Sequence, residues 1–135
     1  MKIKIALLIT ALLTLNSCAV WDAYNLRSFD NNEYLIVTQI ATRGELAVEA
    51  CGDISTTIDN ITAIQYDAAL LSKYSSGFAN NEKASAASQK LNKIVGITVP
   101  MLQTSNYSVK FCERQMALIG ALASKLQSAI GTKSQ

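Results

Sequence analysis

The stretch ISTTIDNITAIQYDAALLSKY, residues 54–74, decides the fold class. Ile54, Ile58, Ile61, Ile64, Ala68 and Leu71 recur three or four residues apart, the spacing that gathers side chains on one face of a helix. Isoleucine also suits strands, but a half-buried strand alternates apolar and polar residues, and this segment does not. Asp53 precedes it as an N-cap, and the helix is expected to extend to about Tyr74. The following SSGFANN, residues 75–81, supplies a glycine and turn-forming residues.

Upstream, Asp30 stands three residues before Glu33, the spacing of a capping box with aspartate as cap. Val37, Ile40, Gly44, Ala47 and Cys51 then form a stripe, so a helix is predicted from Asp30 to about Cys51 with Gly52 as its stop. Gly44 and Ala47 are small enough to let a neighbouring helix approach closely. Downstream, Glu82 to Val95 reads as helix through Ala84, Ala87, Leu91 and Ile94. Gly96 and Pro100 bracket IGITVP, where a short break is expected, with Thr98 as a cap if the helix restarts. A last helix is expected after Thr104-Ser105-Asn106, running to about Ile130 with Gly131 as its stop. Its stripe is Cys112, Met116, Ile119, Ala123, Leu126 and Ile130, widened by Leu118 and Leu122. Four helices joined by short loops predict an all-α, up-down-up-down four-helix bundle over residues 30–135.

The N-terminus has a different character. Lys2 and Lys4 precede about eleven mostly apolar residues, Ile5 to Leu15, and small polar residues follow, the three-part layout of a secretory signal peptide. The run is shorter than the roughly 20 apolar residues a transmembrane helix needs. Leu15-Asn16-Ser17-Cys18 resembles the lipobox of bacterial lipoproteins, with Asn16 departing from the usual small apolar or hydroxyl residue. The resemblance implies a signal peptide over residues 1–17 and a diacylglyceryl group on the Cys18 sulfur. It also implies a fatty acyl chain such as palmitate on the new amino group, and a connector over residues 18–29. Two acyl chains suffice for stable anchoring. Ala19, rather than an aspartate, follows the cysteine, so the resemblance points to the outer membrane. Ser17 and Ala19 also fit small-x-small cleavage, which would instead release a soluble periplasmic protein.

With Cys18 committed to lipid, Cys51 and Cys112 remain, and in an oxidising compartment a disulfide between them is expected. An up-down-up-down bundle places the end of the first helix and the start of the fourth at one pole, which permits this pairing. The lipid would hold the opposite pole against the membrane. Trp21, Tyr24 and Phe29 lie in the connector, where they either meet the bilayer interface or pack beneath the bundle.

Composition excludes several function classes. The chain carries 12 Lys+Arg against 10 Asp+Glu, and loss of Lys2 and Lys4 with the signal leaves 10 against 10. No basic surplus survives to hold nucleic acid. Histidine is absent, which removes an imidazole base, a His-containing triad and a His metal site. No G-x-S-x-G elbow or phosphate-binding glycine loop occurs. Glu45 and Glu49 read as a solvated pair rather than catalytic carboxylates, and Met101 or Met116 as haem ligands lack a supporting motif. The C-terminal apolar stretch Met116 to Ser124 is too short to bridge a second membrane, as spanin-like lipoproteins do.

The expected product is therefore a non-enzymatic, membrane-anchored periplasmic lipoprotein without cofactor or metal. It would act as an accessory, adaptor or exclusion/immunity-type protein on an unidentified envelope protein, with self-association also open. Lys83, Lys90 and Lys93 are either a solvated helix face or a docking patch for an acidic partner or lipid headgroups. The alternative is a ligand-binding bundle with an apolar groove between its second and fourth helices.

Overall fold

A computed structural model describes residues 29–104 and 106–133, so Cys18, Trp21 and Tyr24 lie outside the described residues. Four helices follow in order: α1 (Asn31–Ala47), α2 (Ile54–Ser76), α3 (Glu82–Gln103) and α4 (Val109–Gly131). Each packs against its two neighbours in the ring α1-α2-α3-α4, while α1/α3 and α2/α4 stand diagonally across the core. The all-α four-helix bundle read from the periodicity is what the chain adopts. Because α2 and α4 are diagonal, a surface groove between them cannot exist; the groove described below separates α3 from α4.

The stripes of α1 and α4 lie in the core as read: Val37, Ile40, Cys112, Met116, Ile119 and Ile130 are fully buried. Asp30 caps α1 through a 2.8 Å hydrogen bond from the Glu33 amide, and Asp53 caps α2 by accepting from the Thr56 amide at 3.2 Å. Gly44 meets Gly120 where α1 crosses α4. A Cβ on Gly44 would stand 2.7 Å from the Gly120 nitrogen, so hydrogen at both positions allows the backbones to touch.

Four local expectations are corrected. The α-helical part of α1 ends at Ala47 rather than Cys51. Tighter turns follow, closed by Ala50 N–H to Ala47 O at 3.2 Å and Asp53 N–H to Ala50 O at 2.9 Å, and these deliver Cys51 to the pole within reach of α4. In α2, Ile54 is exposed because it directly follows the cap at the bundle's rim. The buried residue of that first turn is Thr57, whose hydroxyl donates to the Ala50 carbonyl at 3.2 Å.

Helix α3 runs unbroken through Pro100. Proline removes one donor to the carbonyl of Gly96, but Gly96 is exposed, where water can serve that carbonyl. Val95, Thr98, Val99 and Leu102 around the proline are all buried, and Thr98 donates to the Ile94 carbonyl at 3.0 Å instead of capping a new helix. Packing holds the turn that local chemistry would have opened. Helix α4 starts at Val109 with Ser108 as its cap, accepting from the Phe111 amide at 3.2 Å. Leu118 does not widen its core stripe: it is exposed.

Candidate functional site

At one pole, Cys51 and Cys112 form the expected disulfide, with Cα atoms 5.7 Å apart and a sequence separation of 61. In the chain-entropy treatment, closing a loop of that length stabilises the fold by about 4 kcal/mol. The effect is to lock the α1–α2 connection to the start of α4.

At the other pole a carboxylate sits inside the bundle. Glu33 belongs to the first turn of α1 but also to the register of Val37, Ile40 and Gly44, and it has no exposed surface. Its Oε1 accepts from the Ser75 hydroxyl at 2.7 Å and from Asn81 Nδ2 at 2.8 Å. Its Oε2 accepts from Lys133 Nζ at 2.7 Å. Asn81 in turn accepts from Lys133 through Oδ1 at 2.7 Å and donates to the Ser75 carbonyl at 3.0 Å. Burial pushes the Glu33 carboxyl upward, but the hydrogen bonds from Lys133, Ser75 and Asn81, with the lysine's charge, outweigh it and hold the group below its ordinary value. The cluster joins the start of α1, the end of α2, the α2–α3 turn and the residues just beyond α4. It is a structural clasp, with its donors and acceptors spent on one another.

Asp67 of α2 contrasts with it. Burial pushes its carboxyl up, and the Arg43 charge only partly opposes this. Arg43 Nε comes to 3.2 Å of Asp67 Oδ2 without the alignment of a hydrogen bond.

An open furrow lies between α3 and α4. The core stripe of α3 is Ala84, Ser88, Leu91, Val95, Thr98, Val99 and Leu102: Ala84 and Leu91 lie where expected, while Ser88 and Val95 take the places expected of Ala87 and Ile94. Ala87 therefore stands on the exposed shoulder of the helix and Ile94 is half-buried. Opposite them on α4, Ala129 is exposed and Leu122 half-buried. Ala87 and Ala129 each bring only a methyl to the space between the two helices, and that space stays open. A cavity of about 450 Å³ runs over Ala84, Leu126 and Ile130 at the clasp end. A second of about 280 Å³ continues over Leu91, Ile94 and Leu122. Both share Ala87, Leu126 and Ala129, so they are parts of one furrow.

Its rims are basic. Lys83 and Lys90 line it from α3, Lys125 from α4, and Lys133 closes the clasp end. Glu82 is the acidic residue lining it. Of the lysines singled out in the sequence, Lys83 and Lys90 thus border the furrow, while Lys93 lines a more open hollow that adjoins it through Ala87 and Lys90, with Ala86 and Gln89. Lys125 and Lys133 were not singled out, because their relation to α3 exists only in the folded bundle.

The other sequence candidates are placed as follows. Phe29 is half-buried against Tyr34, ring centroids 5.5 Å apart. Glu45 and Glu49 are exposed, and Glu45 accepts from the Ser124 hydroxyl at 3.3 Å. Met116 is buried and Met101 exposed. Among the described residues no group of His, Cys, Asp and Glu is arranged to hold a metal ion, and no helix is long and apolar enough to cross a membrane. No family model matches the sequence, and searches of curated proteins and of solved structures returned no match.

Proposed function

We propose that the chain is a non-enzymatic lipoprotein, anchored through Cys18 to the periplasmic face of the outer membrane, that works as an accessory, adaptor or exclusion/immunity-type protein by protein contact. The observation that carries the reading is the α3/α4 furrow: an apolar floor between lysine-bearing rims, on a bundle locked at one pole by a disulfide and at the other by the Glu33 clasp. Such a body holds a recognition surface in fixed geometry, which lowers the ordering cost of association. Its buried carboxylate, Glu33, is already committed to three donors. The lipobox-like residues supply the tether.

The anchoring half of the proposal is tested by the mass of the mature N-terminus: acylated Cys18 is expected, and an unmodified Cys18 or a chain beginning after it refutes it. The furrow's volume also lies in the range of small-molecule pockets, which favours the alternative of a ligand-binding bundle. Organic extraction of the purified protein separates the two. A stoichiometric small molecule supports the alternative, and its absence beside a stoichiometric envelope protein supports the adaptor.

A further inference from the structure

We infer that the α3/α4 furrow is the seat of an acidic amphipathic helix of the partner protein; this rests on the adaptor reading above and specifies its contact. The open length from Lys83 to Ile94 is eleven residues of α3, or about 16 Å at 1.5 Å per residue, which is about three helical turns of an occupant. The floor is apolar and lined by small residues at its shoulders, the shape into which the ridge of a third helix fits.

The distribution of charge selects among occupants. An anionic lipid carries its charge at one end and would be served by lysines clustered at one mouth. Here Lys83, Lys90 and Lys125 are spread along both sides of the furrow. Lys133, at the clasp end, is already neutralised by Glu33. An occupant with carboxylates repeated along both flanks of an apolar stripe meets all three free lysines at once, and a single headgroup does not. Charge complementarity of this kind sets orientation and rejects basic partners.

The test is photocrosslinking in the producing cells, with benzoylphenylalanine at Ala86 in the full chain, an exposed position in the hollow that adjoins the furrow, next to Ala87. A second position, Tyr66, is exposed on α2 away from the furrow and serves as control. The expected Ala86 adduct is a protein segment with apolar residues at helical spacing and Asp or Glu on both sides of them. Lys90→Glu with Lys125→Glu should lower its yield about tenfold, Lys93→Glu should change it little, and Ala87→Trp should abolish it by filling the furrow. All four substitutions lie on exposed positions, and unchanged thermal melts confirm that each variant folds. A lipid adduct, a basic or non-amphipathic segment, or charge reversal without effect overturns the inference. So does the absence of an Ala86 adduct while Tyr66 captures a protein, which leaves the adaptor reading standing. No protein adduct at either position removes both.

Discussion

Replacing Lys133 by methionine removes the cation from Glu33 and keeps most of the side-chain stem. In the native protein the Glu33 carboxylate is fully buried and held by Lys133 Nζ at 2.7 Å, with Ser75 and Asn81 on its other oxygen. Taking one member from a buried ion pair costs about 3–5 kcal/mol, because the remaining charge is left without its counter-ion. The remaining bonds from Ser75 and Asn81 and the lysine's partial exposure place the expected loss near the lower end, about 3 kcal/mol at pH 7.

The pH dependence distinguishes this cause from simple loss of packing. Native Glu33 has a lowered pKa, so its stabilising contribution is complete above the unfolded carboxyl value and is lost as pH falls through the folded one. Without Lys133, burial is opposed only by two hydrogen bonds and the carboxyl rises. The variant then recovers stability as pH falls through that raised value toward the unfolded carboxyl value, since a protonated Glu33 no longer needs a cation. Asp67 titrates in both proteins and cancels from the difference. Urea unfolding followed by circular dichroism, with the disulfide intact, should show a gap of about 3 kcal/mol at pH 7 that shrinks by at least half at pH 4. Adding Glu33→Gln to Lys133→Met should restore part of the loss, giving a coupling energy above about 1 kcal/mol. A gap that is the same at both pH values, or smaller than about 1 kcal/mol at pH 7, refutes the assignment of the clasp as a charge-compensated site.

Other perturbations have equally definite signs. Gly44→Ala drives a Cβ to within 2.8 Å of Gly120 backbone atoms, and the overpacking should outweigh the better helix propensity for a net loss of about 2 kcal/mol in urea unfolding. Gly96→Ala meets nothing within 4 Å and sits exposed in α3, so it should raise stability by up to about 1 kcal/mol in the same assay; a loss would mean that the continuous helix through Pro100 is wrong. Asp67→Asn should leave stability unchanged or raise it at pH 7, because the carboxyl's raised pKa makes its ionised form a cost there, and the advantage should shrink as pH falls through that value toward the ordinary carboxylate range. Reducing the Cys51–Cys112 bond, which closes a 61-residue separation, should cost about 4 kcal/mol and lower the melting temperature by more than 10 °C; a shift under a few degrees would show that the thiols do not constrain the unfolded chain.

Why the helices were legible and the poles were not follows from the range over which each is determined. A residue such as Ile61 or Met116 is buried because of its register within its own helix, so three- and four-residue spacing reports it directly. Along α3 the same spacing placed Ala84 and Leu91 correctly but took Ala87 for its buried neighbour Ser88, because alanine and serine differ too little in hydrophobicity to mark the face. That small error concealed the furrow, which is defined by what Ala87 and Ala129 lack rather than by what any residue provides. Pro100 misled for the complementary reason: its local cost is real, but the buried residues on either side hold the turn closed.

Glu33 was ambiguous at its own position, since a glutamate three residues after Asp30 fits a capping box and also falls in register with Val37 and Ile40. Its capping partner is present, but through the Glu33 amide, while the carboxylate turns inward to Ser75, Asn81 and Lys133. Those residues lie 42, 48 and 100 positions away, and only closure of the bundle brings them together. The clasp and the furrow share Asn81 and Lys133, so an acid entering from that end competes with Glu33 for the lysine. In the proposed seating of an acidic helix, charge recognition is therefore assigned to Lys83, Lys90 and Lys125, which stand free of the clasp along the furrow's length.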